Sequence, residues 1–146
     1  MNARPYSSAS IVPAAVLALL TLLVFYVLQD YGPESALRKF HEAALKGDSG
    51  SLDRVSVGGS ADQVTREAAA TVQYFLKDPP SGGGGRYRLL RTDHRGRTVG
   101  AEAVYVFPSG QTKTIYWIVV KQGNRWRVDA LATARLMSMP ESQSRQ

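Results

Sequence analysis

The stretch Gln122-Gly123-Asn124-Arg125-Trp126-Arg127-Val128-Asp129-Ala130-Leu131 decides how the C-terminal half of the chain is read. Gln122-Gly123-Asn124 is a turn signal, because glycine and asparagine tolerate the backbone angles of a tight hairpin. The residues after it alternate. On an extended backbone Trp126 and Val128 point one way, and Arg127 and Asp129 point the other. We therefore read Arg125 to Thr133 as the last strand of a sheet, with Trp126 and Val128 packed in a core.

Three more strands precede it. Tyr87 to Thr92 is the first, and Asp93-His94-Arg95-Gly96 is its turn. Val99 to Phe107 is the second, with Val99, Ala101, Ala103 and Tyr105 on one face. Pro108-Ser109-Gly110 turns the chain into the third, Thr112 to Lys121. Turns this short imply an antiparallel meander. The centre of the third strand, Ile115 to Val120, is apolar on both faces. That predicts a sheet curved around, or covered by, helices.

The helices come before the strands. Pro33 to Lys46 places Leu37, Phe40, Ala44 and Leu45 on one stripe, with Pro33 suited to the first helical position and Gly47 to the end. Ser51 to Val55 reads as a short turn. Ser60 with Gln63 reads as a capping box for a second helix, whose stripe is Val64, Ala68, Val72, Phe75 and Leu76. Asp78-Pro79-Pro80 ends it. The loop Ser81 to Gly85 lacks the lysine and Ser/Thr of a phosphate loop and follows a helix instead of opening one. Residues Met137 to Gln146 read as a polar, frayed tail. Helices followed by an antiparallel sheet make the class α+β.

The first 30 residues are a separate object. The chain has 146 residues, enough for one domain and something short. Ile11 to Leu28 carries no charge and no strongly polar group except Thr21. At about 1.5 Å per residue it rises roughly 27 Å, close to a hydrocarbon core of about 30 Å. Ile11, Leu17, Leu20, Leu23, Phe25 and Leu28 would face lipid. A cleaved signal peptide is the rival reading. The run is long for one, and no small-x-small site follows it at Tyr26 to Tyr31. We expect an uncleaved single-pass anchor in the cell membrane, with a cytoplasmic tail at 1–10 and an extracytoplasmic domain at 31–136. Arg4 before the span and Asp30 and Glu34 after it favour that orientation; Arg38, Lys39 and Lys46 pull against it.

The domain resembles the nuclear transport factor two-like superfamily, the cone-shaped, cystatin-like fold shared with ketosteroid isomerase and scytalone dehydratase. The residues that carry the resemblance are the helix PESALRKFHEAALKGD, a second helix, and hairpins closing on GNRWRVDAL, within Pro33 to Leu136. It implies helices on the concave face of the sheet, often with a pocket between, and a homodimer through the open face. Small bacterial envelope domains of this fold look most similar. A short tail, one span and such a domain also look like assembly components of type IV secretion and conjugation systems.

Few residues suggest chemistry. There is no cysteine, so disulfides, thiolate nucleophiles and cysteine-bound zinc are excluded. Two histidines, His41 and His94, show no metal-ligand spacing, and we expect no metal and no cofactor. Asp129 could be a pocket base with Tyr105 or Tyr116 as hydrogen-bond donor, which is the isomerase or dehydratase alternative. His41 is a further pocket candidate at the edge of its helix stripe. Trp117, Trp126 and Tyr105 could line a ligand site. Each has a simpler reading as core packing or a solvated carboxylate, and we expect a binding or assembly domain without catalysis. Net charge is +6, and Arg86, Arg88, Arg91, Arg95 and Arg97 form one dense basic segment. As partners for it, a guarded sheet edge ranks first, lipid headgroups second and nucleic acid last. The bilayer and other envelope proteins are the partners expected for the whole chain.

Overall fold

A computed structural model describes residues 11–29, 32–78 and 82–139. The expected tail at 1–10 lies outside them, as does the stretch 140–146. The chain divides into two compact units, Met1–Tyr31 and Gly32–Gln146.

The first unit contains helix α1, Ile11–Gln29. Every described side chain in it, from Val12 to Tyr26, is exposed, Leu17, Leu20, Leu23 and Phe25 included. Those side chains cover roughly 22 Å of helix. Among the described residues no helix is long and apolar enough to cross a membrane. The side chains of Ile11 and Leu28 lie outside the described set.

The second unit is an α+β fold. Its order is α2 (Pro33–Lys46), α3 (Ser49–Val55), α4 (Gln63–Leu76), β1 (Arg86–Arg95), β2 (Thr98–Val106), β3 (Thr112–Gln122), β4 (Arg125–Val128) and α5 (Ala130–Ser138). The four strands form an antiparallel meander in the order β1-β2-β3-β4. β4 also bridges Ser56 in parallel, and the Val57 N–H donates to the Val128 carbonyl at 2.9 Å.

Local chemistry sets the helix ends. Pro33 starts α2, and Gly47 at φ 65° ends it, its N–H returning to Ala44. Asp48 caps α3 by accepting from the Ser51 N–H, so that segment is a helix, not the turn expected at Ser51 to Val55. The cap of α4 is Asp62, which accepts from both the N–H and the hydroxyl of Thr65. The expected Ser60–Gln63 box does not form; the Ser60 N–H donates to Asp53 instead.

The core lies between α2, α4 and the inner face of the sheet. Leu37, Phe40, Ala44, Val72 and Leu76 meet Ala101, Ala103, Tyr105, Ile115, Trp117, Val119 and Val128, all buried. Burying a side chain such as Leu37 or Phe40 stabilises by about 1.5–3 kcal/mol each. Among the described residues, every member of this core belongs to the unit 32–146, so that unit carries a core of its own.

Three boundaries differ from the sequence reading. β1 runs on through Asp93-His94-Arg95, and only Gly96, at φ 63°, and Arg97 make the turn. The last strand ends at Val128, because Asp129 caps a new helix. That helix carries Met137 and Ser138, which the reading gave to a frayed tail. The second face of β3 is also barer than expected: Tyr116, Ile118 and Val120 are half-buried, not enclosed.

Candidate functional site

Three of the candidate side chains form one hydrogen-bonded chain inside the core. His41 Nδ1 lies 2.8 Å from the Leu37 carbonyl. A carbonyl only accepts, so Nδ1 carries the imidazole proton and Nε2 is the acceptor. The Tyr105 hydroxyl donates to that Nε2 at 2.6 Å, and Trp117 Nε1–H donates to the same hydroxyl at 3.0 Å. Every polar atom of the three is therefore used. Burial lowers the His41 pKa to about 4, which keeps the ring neutral, and pushes the Tyr105 hydroxyl well above its usual range. Tyr87 stacks on His41 with ring centroids 4.2 Å apart, and its own hydroxyl is raised by partial burial. Phe40 lies against Trp117, and Phe75 against Tyr105.

Such a cluster fixes the packing of α2 on β2 and β3. His41, Tyr105 and Trp117 are each 1% exposed or less, so none of them offers a surface to solvent. Trp126 is half-buried beside this core, with Lys121 Nζ 5.8 Å from its ring centroid.

Asp129 is spent differently. Its carboxylate accepts from the Ala132 N–H at 2.9 Å as the N-cap of α5. Its own N–H donates to the Ile118 carbonyl, and the Thr133 hydroxyl accepts from the Ile118 N–H. α5 thus closes the edge of β3 where β4 stops. The proposed partners of Asp129 do not converge on it. Tyr105 pairs with Lys113 on one face of the sheet, and Tyr116 pairs with Glu102 on the other. The Tyr116 ring covers Gly100, where a side chain would collide with it. Among the described residues no group of three His, Asp or Glu is placed to hold a metal ion.

What remains accessible is the outer face of the sheet. The register places Arg86, Val106 and Thr112 in one row and Arg88, Val104 and Thr114 in the next. Arg91, Glu102 and Tyr116 follow, then Asp93, Gly100 and Ile118. Arg95, Thr98, Val120 and Arg127 make the last row. Simple alternation would put Arg91 and Arg95 on the face opposite Arg86 and Arg88. A β-bulge between Leu89 and Arg91 inserts Leu90 and restores the parity, so all four arginines share the outer face. The sequence reading missed this because a bulge carries no local signature here. Beside the face, Ile118 meets Leu131 and Leu136 of α5 and Met139 just past its end in an open groove of about 320 Å³ that also takes in Asp129 and Arg135.

No family model matches the chain, and neither the curated proteins nor the solved structures compared with it give a match.

Proposed function

We propose that this protein is a single-pass, membrane-anchored extracytoplasmic binding or assembly domain without catalysis. In this reading the second unit is a cone-shaped, cystatin-like domain of the nuclear transport factor two-like type. The observation that carries the binding role is the contrast between the two sheet faces. On the inner face, His41, Tyr105 and Trp117 are consumed by one another. On the outer face, apolar Val104, Tyr116, Ile118 and Val120 stay half-exposed among arginines. A surface of that kind is suited to a partner.

The anchor rests on the sequence of α1, a helix of 19 residues with no charged residue and no polar stripe. A soluble helix keeps one polar face, whereas a lipid-facing helix is apolar all round.

The absence of cysteine makes topology directly testable. Single cysteines are introduced as Ser7→Cys and Ser109→Cys in the full chain, and intact cells are treated with a membrane-impermeant maleimide. We expect labelling at position 109 and none at position 7, with the protein retained in the membrane pellet after alkaline carbonate. Labelling at 7 alone reverses the orientation, and release by carbonate removes the anchor.

A further inference from the structure

The domain divides its charge between its two layers. Between residues 33 and 78, which form the helical layer, six Lys and Arg stand against seven Asp and Glu. Between residues 86 and 139, which form the sheet and α5, ten stand against three. The whole positive excess of the domain is therefore on the sheet side.

Within that side the excess is concentrated further. The bulge at Leu90 brings Arg86, Arg88, Arg91 and Arg95 onto one face, with Arg127 of β4 in the same row as Arg95. Arg86, Arg88, Arg91 and Arg95 are exposed. Of the two acids on this face, Asp93 is paired with Arg95 at 3.1 Å and Glu102 sits half-buried at the centre. Among the described residues Arg127 Nε is buried with no hydrogen-bond partner, so its charge adds to the basic face without being neutralised by a carboxylate. Exposed apolar groups stand among the arginines: Leu90 in the bulge and Val106 at the end of β2.

We propose that the outer sheet face docks on anionic lipid headgroups, with the β1 arginines meeting phosphates and Leu90 and Val106 reaching the interface. This rests on the proposal that the chain is anchored, since an anchor confines the domain near such a surface and raises its effective concentration there. The mixture of arginine and exposed aliphatic groups suits a lipid interface. Nucleic acid is less well served, because the aromatic ring of this face, Tyr116, is committed to covering Gly100.

The test uses the segment 32–146, which carries the core described above and lacks α1, so its outcome does not depend on the anchor. Binding to phosphatidylcholine vesicles with and without phosphatidylglycerol is measured by co-sedimentation at two salt concentrations. Two variants each lose four charges: R86Q/R88Q/R91Q/R95Q on the sheet face and R38Q/K46Q/R66Q/K77Q on the helical layer. With about 1 kcal/mol per basic residue near a charged surface, each arginine is worth roughly fivefold. We expect salt-sensitive binding to the anionic vesicles alone, weakened more than tenfold by the sheet variant and less than threefold by the helical one. Equal loss in the two variants would reduce the effect to net charge and overturn the proposal. Equal binding to both vesicle types would also overturn it. So would binding to a polyglutamate peptide without binding to vesicles, which would assign the face to an acidic protein. Failure here with retention of the full chain in carbonate-washed membranes would leave the anchor standing and remove the lipid contact.

Discussion

His41 has a state set by its surroundings and not by its sequence neighbours. It shares a helix with Phe40, yet its ring is held by the Leu37 carbonyl one turn back and by Tyr105 from across the core. Tyr105→Phe removes the group that accepts from Trp117 and donates to His41, leaving two buried partners unsatisfied. At about 1–3 kcal/mol per orphaned group, we expect a loss of roughly 2–6 kcal/mol in urea unfolding. Tyr116→Phe, on the outer face, should stay within about 0.5 kcal/mol. The same burial gives a pH dependence with a definite sign. The unfolded His41 protonates near the ordinary histidine value of 6.5, while the folded one resists until about 4. Between those values the unfolded state binds more protons, so stability falls as pH falls through the window. At about 1.36 kcal/mol per unit the loss attributable to His41 approaches 3 kcal/mol by pH 4. Unfolding curves of the native chain and of His41→Gln at pH 7 and 4 isolate it: the native chain should lose that much more than the variant.

At the scale of elements, alternation was a reliable guide where the ladder is regular and a poor one where it is interrupted. Val99, Ala101, Ala103 and Tyr105 share the inner face as their spacing requires. β1 defeats the same rule, because Leu90 is an extra residue and shifts every later side chain by one. Removing Leu90 should therefore be tolerated, with a loss of at most about 1 kcal/mol, since Leu89 and Arg91 already pair with adjacent residues of β2. Removing Ala103 instead would turn either Tyr105 or Val99 and Ala101 outward, and we expect no cooperative melting transition by circular dichroism. The end of β4 was legible in principle. Asp129 followed by Ala130-Leu131-Ala132 is a cap before strong helix formers, but the alternation Trp126 to Asp129 hid it. Asp129→Ala should cost α5 about 1 kcal/mol of stability, while Asp129→Asn keeps an acceptor and should cost little. The pairing of His41 with Tyr105, 64 positions apart, had no signal in the sequence at all, because it depends on how the layers meet.

At the scale of the molecule, the α+β class and the meander were readable from the order of helix and strand patterns, and the structure has both. The functional balance was not readable, because it depends on which face each residue takes. Once the faces are known, the groups suited to chemistry lie inside and satisfied, and the charge and apolar surface suited to binding lie outside. The central claim is that the outer sheet face is the working surface of a membrane-held domain. The most direct test places a photocrosslinking residue at Val104 on that face, or at Glu67 on the exposed side of α4, in the full-length protein in its native membrane. Captured molecules are then identified by mass spectrometry. We expect reproducible capture of lipid or envelope protein from position 104 and none from 67. Capture from 67 with none from 104 would contradict the claim and move the working surface to the helices.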